Sequence, residues 1–293
     1  QGRSFDGVRH WWVSEDESNQ FDVFFTQINE DSTVFGGSNG GDSDAYFAGL
    51  YERYKYSEQG LIEGYLLYRN TGATFVTTGN TTENRFTVGA RWFQGGDDLE
   101  FEVEAATQGG DAINGVDIPW LDTYAIHAHL TWKLGGDLAH YLKAEVDFAS
   151  GDDPNTVDNE RFDQLYPTVH KHWGMMDFAN WENMAAYSLT YGLRPSERSK
   201  LALSWWYFQS MEAGDRFGGP VPALTLVPTG SATSKDIGHE IDLFYNYDVP
   251  VERVKLGLQA GLAGFFPGDA VDQARGGNDD SNYFAYVQAN LLF

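Results

Sequence analysis

The chain has no cysteine, which removes disulfides, thiol nucleophiles and thiolate metal sites and leaves an oxidising compartment permitted. Proline is scarce, 9 residues against 33 glycines, and 42% of the chain is hydrophobic, which excludes a disordered or collagen-like polymer. Long apolar runs are missing too: stretches such as "LALSWWYF" at 201–208 are too short to cross a bilayer as a helix. Bases are few. With 19 Lys and Arg against 43 Asp and Glu the formal charge is −24, opposite in sign to that of a nucleic-acid binder, so no nucleic-acid partner is expected. The start "QGRSFDGVRH" lacks a basic-then-apolar signal segment, as expected of a chain already processed or begun inside a longer precursor. Catalytic motifs are also scarce: there is no HExxH or phosphate-cradling loop, and no enzymatic activity is expected. Asp152 and Asp153 could be proposed as a glycosidase pair, but that chemistry depends on a carboxyl separation that sequence does not set.

What is present is alternation. The ending "SNYFAYVQANLLF" puts Tyr283, Ala285, Val287, Ala289, Leu291 and Phe293 on one face, and Asn282, Gln288 and Asn290 on the other. Similar period-2 pieces, each about ten residues long, recur along the chain, which is the pattern of tilted strands in a membrane barrel. They lie at 5–13, 20–29, 44–56, 60–70, 84–94, 98–107, 122–133, 140–149, 183–194, 199–210, 238–249, 253–264 and 282–293. The sequence shows no convincing amphipathic helix.

Connections alternate between short and long. The short ones, "SEDESN", "SEQG", "GGDD", "LGGDLA", "PSER" and "PVER", are rich in turn residues, and the long ones lie near 30–43, 71–83, 108–121, 150–182, 211–237 and 265–281. Short turns on one side and long loops on the other are the asymmetry of an outer-membrane barrel. A soluble β-sandwich also alternates. Aromatic placement decides against it: Trp92, Trp132, Phe148, Tyr124, Tyr247 and Phe293 sit at strand ends on the apolar face, where a bilayer has its interfacial girdles. The expected fold is therefore all-β, a single transmembrane antiparallel barrel domain over 1–293 located in a bacterial outer membrane. Bacterial single-chain barrels close with an even number of antiparallel strands, so thirteen means either that an odd number is missing or that the count is off, with the long loops, especially "VPALTLVP" at 221–228, as candidates for a missed strand.

The stretch "RFDQLYPTVHKHWGMMDFANWEN" at 161–183 resembles the signature of the alginate export family of outer-membrane proteins, through Phe162, Pro167, His170, Gly174, Asp177 and Asn183. "RSFDGVR" at 3–9 is similar to the family's interior strand start, and the terminal phenylalanine resembles a general assembly signal of bacterial outer-membrane barrels. The resemblance implies a barrel of about 18 strands, of which this chain would supply the C-terminal part. It further implies passive passage of a polysaccharide or other polar solute, with outer-membrane lipid, lipopolysaccharide and periplasmic export components as partners. Two other readings stay open: a general or cation-leaning porin, and a structural or adhesion barrel whose lumen is plugged and whose acidic loops bind partners.

On the polar faces that can be oriented, the acids are Glu63, Glu100, Glu102, Glu104, Glu145, Asp147, Glu240, Asp242 and Asp248. The bases are Arg69, Arg85, Arg91, Lys133, Lys143, Arg194, Arg253 and Lys255. These are the expected pore-lining residues, although pairing across strands to solvate a lumen accounts for any one of them equally well. The wall is nearly balanced, so almost all of the −24 lies elsewhere. The loop at 150–182 carries Phe162, Tyr166, His170, Trp173 and Asp177 and is too apolar to hang in water, so it is expected to fold into or over the mouth as a constriction. Acidic loops at 40–45, 150–163 and 276–282 offer oxygens of the kind Ca²⁺ takes, but their spacing matches no calcium loop, and solvated turn acids are the expectation. His127 and His129 share a strand face, and His170 and His172 flank a lysine. Two histidines are an incomplete metal site. No cofactor and no metal are expected.

Overall fold

The computed structural model describes residues 5–28, 45–72, 82–112, 115–166, 172–219, 225–250, 255–278 and 280–292. Among them lie β1 (Phe5–Val13), β2 (Asn19–Ile28), β3 (Ala45–Ser57), β4 (Gly60–Gly72), β5 (Thr82–Gln94), β6 (Leu99–Asp111), β7 (Asp117–Ile118), β8 (Tyr124–Gly135) and β9 (His140–Ala149). There follow β10 (Met184–Ser196), β11 (Ser199–Gln209), β12 (Phe217–Gly218), β13 (Thr225–Val227), β14 (Asp236–Val249), β15 (Lys255–Pro267), α1 (Asp269–Ala274) and β16 (Asn282–Leu292). Among the described residues the regular structure is all-β apart from this one short helix. The main sheet runs β1-β2-β3-β4-β5-β6-β8-β9-β10-β11-β14-β15-β16, with β7 paired on β6.

Each long alternating segment of the sequence is thus a strand, within a few residues at each end. The exception is "VPALTLVP". Its described part forms β13, three residues that pair with β12 in a separate two-stranded sheet, so it is a loop hairpin and not a missed member of the main sheet. Buried Leu226 and Val227 explain its apolar run, since they pack into a loop core without extending the ladder. The helix α1 was likewise not legible, because six residues are too few to show a 3.6-residue period.

The chain forms two compact units, one made of Gln1–Gln94, Val103–Tyr124 and Asn155–Glu160, the other of Gly95–Glu102, Ala125–Pro154 and Arg161–Phe293. In each, burial is inverted relative to a water-soluble protein. In the first unit Leu50, Leu66, Val88 and Trp92 are exposed, while Asp22, Glu63, Arg85 and Thr87 are buried. In the second, Leu130, Leu203, Ile241, Leu262 and Val287 are exposed, while Glu145, Asp147, Glu240 and Asp242 are buried. Of the aromatics expected in a girdle, Trp92 and Trp132 are exposed, Phe148, Tyr124 and Tyr247 are half-buried, and Phe293 lies outside the described residues.

The buried faces are held at close quarters by rings laid over glycines. In register, Phe24 faces Gly49, Tyr65 faces Gly89, Tyr141 faces Gly192 and Tyr286 faces Gly261, and in each case the ring occupies the space a glycine Cβ would take. The short turns are polar and self-contained. Asp16 accepts hydrogen bonds from the Ser14 hydroxyl, the Ser18 amide and the Ser18 hydroxyl, which pull its carboxyl down to about 2.

Replacing Gly89 by alanine is expected to destabilise the sheet by about 1–3 kcal/mol, the range for overpacking. The Tyr65 ring it would displace is tethered through its hydroxyl to Glu104 Oε1 at 2.6 Å. Gly64→Ala, where an added Cβ meets nothing within 4 Å, serves as the control and should be neutral. Urea unfolding of both variants in detergent checks this, and equal effects would mean that the ring-over-glycine contact carries no stability.

Candidate functional site: the charged strand faces and the segment that covers them

In the first unit the polar face is a ladder of paired charges. The Glu63 carboxylate lies 2.5 Å from Arg91 and 3.6 Å from Arg53. Glu83 joins Arg69 at 2.6 Å and Arg85 at 2.9 Å, and Arg85 also donates to Gln108 Oε1 at 2.8 Å. Antiparallel register creates these groups, since Arg53, Glu63 and Arg91 are direct cross-strand neighbours on β3, β4 and β5. Glu104 accepts from Tyr65, whose ring stacks on Tyr51 at 6.1 Å.

In the second unit Lys133 lies 3.6 Å from Glu100 and Lys143 lies 2.5 Å from Glu145. The imidazole of His127 touches Asp147, with Glu145, Glu102 and His129 around it. On β14, Glu240 and Asp242 are fully buried two residues apart on one face. Both oxygens of Asp242 and Oε2 of Glu240 lack hydrogen-bond partners.

The same face turns apolar towards the long connections. Ala186, Trp206, Phe208 and Phe265 lie there, and the segment from Arg161 to Asn183 brings Trp173, Met176, Phe178, Ala179 and Trp181 against them. Phe178 meets Phe265 edge-on at 5.0 Å, and Phe162 meets Trp181 at 5.7 Å. The backbone amides of Met175 and Met176 both donate to Glu240 Oε1, at 2.6 and 2.9 Å. Gly174 makes this approach possible: its φ is +86°, and a Cβ there would lie 2.6 Å from the Glu240 carboxylate.

At its ends the segment is clipped by charge. Arg161 donates from two nitrogens to Asp215, with Glu182 at 3.6 Å, and Arg216 also pairs with Glu182. Burial alone would lower the Arg161 guanidinium, but its bonds to Asp215 outweigh that and hold it above its ordinary value. Burial pushes the Glu182 carboxyl up against the pull of Arg216 and Arg161. Asn183, fully buried with φ +46°, donates to the carbonyls of Glu212 and Arg216 and accepts from the Glu212 amide, pinning the 211–216 turn to the start of β10.

A family model described as "Alginate export" matches residues 1–285. The chain belongs to the alginate export family. No curated protein matches it. Several of the residues that carry the family resemblance shape the covering segment. Phe162 packs on Trp181, and Gly174, Asp177 and Asn183 hold the left-handed backbone conformations that fold it. Pro167 and His170 lie outside the described residues.

Of the expected wall residues, Arg69, Arg91, Glu102, Glu104, Lys143, Glu145, Asp147, Glu240 and Asp242 lie on the buried or half-buried face, as does Glu100. Lys133 and Arg194 are exposed near the short turns. Lys255 opens β15 opposite Leu292, and Arg253 falls outside the described residues. Of the expected constriction residues, Phe162, Trp173 and Asp177 are buried and Tyr166 half-buried. The sequence reading missed Asp22 and Glu83 as wall acids, although Asp22 alternates with Val23 as regularly as the acids it did orient.

Replacing Glu240 by alanine is expected to release the amides of Met175 and Met176, since a hydrogen bond of this kind contributes about 0.5–1.5 kcal/mol. Hydrogen exchange at those two amides should accelerate roughly 2- to 10-fold, while the aromatic contacts of the segment persist. Unchanged exchange would mean that Glu240 does not hold the segment.

Proposed function

We propose that the chain forms the wall of an outer-membrane channel for passive passage of a polar solute, with the segment 161–183 narrowing the path. One observation carries this reading: leucine, isoleucine, valine and tryptophan are exposed on one strand face while aspartate, glutamate and arginine are buried on the other. A sheet with that inversion is stable only where hydrocarbon meets its apolar face and water or protein its polar one. Membership of the alginate export family supports the same location. The location has a direct test. Leu203, half-exposed in the middle of β11, should tolerate arginine in no bilayer-spanning strand. Leu203→Arg is expected to cost about 2–4 kcal/mol in refolding into vesicles, as at a bilayer midplane, and a neutral outcome would remove that face from lipid.

The charge pattern favours a neutral or cationic solute over a polyanion. Lys133 and Lys143 each have a carboxylate within 4 Å, while Arg53 and Arg91 share Glu63 and Arg69 and Arg85 share Glu83, so these pairs offset part of the positive charge, and the net charge of −24 sets the balance for the chain as a whole. A polyanion channel needs positive potential where the polymer enters. In a KCl gradient across a planar bilayer, the expected reversal potential indicates weak cation preference, with block by neutral oligosaccharide. Clear anion selectivity with block by acidic oligosaccharide alone would overturn this and assign the solute to the polyanion class.

A further inference from the structure

The histidine pair that sequence left incomplete is completed by neighbouring strands. His127 and His129 project from the same face of β8. Register with β9 sets Asp147 directly opposite His127 and Glu145 opposite His129, and Glu102 of β6 approaches His127. The donor atoms of Glu102, His127 and His129 all lie within 4.8 Å of one another, as do those of His127, Glu145 and Asp147.

We propose that this cluster is a binding site for one divalent transition-metal ion of the Zn²⁺ class, with His127 Nε2, His129 Nδ1 and a Glu102 oxygen as ligands. Asp147 Oδ1 lies 2.8 Å from His127 Nδ1. An ionised carboxylate only accepts hydrogen bonds, so Nδ1 of His127 carries a proton, and once Nε2 is free of its own proton its lone pair points away from Asp147. That is the carboxylate–histidine–metal arrangement, in which an outer carboxylate fixes tautomer and ring orientation. His129 Nδ1 lies 3.1 Å from His127 Nε2. Two metal–nitrogen bonds of about 2.0–2.1 Å, opening at an angle between square and tetrahedral, hold their nitrogens about 3.0–3.4 Å apart, so this spacing suits one shared ion. Glu102 Oε1, 3.9 Å from His127 Nε2, closes the third side.

Charge and burial point the same way. Asp147 is 1% exposed and its Oδ2 has no hydrogen-bond partner. Glu145 and Asp147 outnumber Lys143 beside His127, and a divalent cation offsets that excess. Two nitrogen donors favour zinc-like ions over Ca²⁺ or Mg²⁺, which take oxygen. The competing account of the 3.1 Å spacing is a hydrogen bond between His127 Nε2 and His129 Nδ1, with either ring as donor and no ion.

Isothermal titration of the chelator-stripped full chain, refolded in detergent, separates the two. The expected result is one Zn²⁺ per chain, no heat with Ca²⁺, and loss of binding in His129→Gln with strand circular dichroism intact. Asp147→Asn acts on the ligand through its orientation and should weaken binding roughly 10- to 100-fold. No stoichiometric Zn²⁺ binding, or binding unchanged in both His129→Gln and His127→Asn, overturns the proposal. The measurement involves no channel property, so it stands or falls separately from the transport reading.

Discussion

Side chains on a strand alternate with a period of two, so a strand placed between hydrocarbon and water has to assign every charge to one of its two faces. In this chain that assignment concentrates carboxylates and guanidinia on a face with little water, where an unpaired charge is costly. Pairing then becomes a matter of register. Arg53, Glu63 and Arg91 meet because three successive strands bring them to one level, and a one-residue slip would turn all three into the apolar face. The ion pairs and the register therefore depend on each other, and the rings over Gly49, Gly89, Gly192 and Gly261 fix the same alignment sterically.

The covering segment obeys a different rule. Its described residues lie in no ladder, and several of its amides find side chains: Met175 and Met176 at Glu240, and Trp181 at Gln164. Such bonds require tight local turns, which is why Trp173, Gly174, Asp177 and Asn183 all have positive φ. The wall accommodates it by becoming apolar at Trp206, Phe208 and Phe265 on the face that elsewhere carries charge. Phe162, Gly174, Asp177 and Asn183, which carry the family resemblance, thus shape the conformation of a loop.

The strands were legible because their signal is local: Leu99, Phe101 and Val103 against Glu100, Glu102 and Glu104 need no knowledge of any other strand. The partners of those acids were not, because they lie across turns and loops. His127 and His129 mirror Asp147 and Glu145 about the tight turn between β8 and β9, a symmetry visible in the sequence. A bulge between Lys133 and Gly135 shifts the register there, so counting from the turn alone leaves the pairing one residue uncertain. Glu102 is further away still, on a strand separated from β8 by β7 and its flanking residues. The apolar content of 161–183 announced that the segment must pack somewhere. The site of packing depended on residues of β10, β11, β14 and β15 that no spacing rule connects to it.

Glu240 shows how these two orders meet. Among the buried acids of the second unit, Glu145 has Lys143 and Asp147 has His127, whereas Glu240 meets the amides of Met175 and Met176 and no base among the described residues. Were the segment absent, water would supply equivalent donors, so the net contribution of those two bonds is a small difference between large terms. Burying Trp173, Met175 and Phe178 has no such substitute, and each large apolar side chain contributes roughly 1.5–3 kcal/mol when fully buried. The grip of the segment on the wall therefore comes mainly from its aromatic and methionine side chains. The role of Glu240 is to set where it lands: once the segment is packed, a misplaced turn would leave a carboxylate without donors in a dry site, and only the backbone shape provided by Gly174 avoids that penalty.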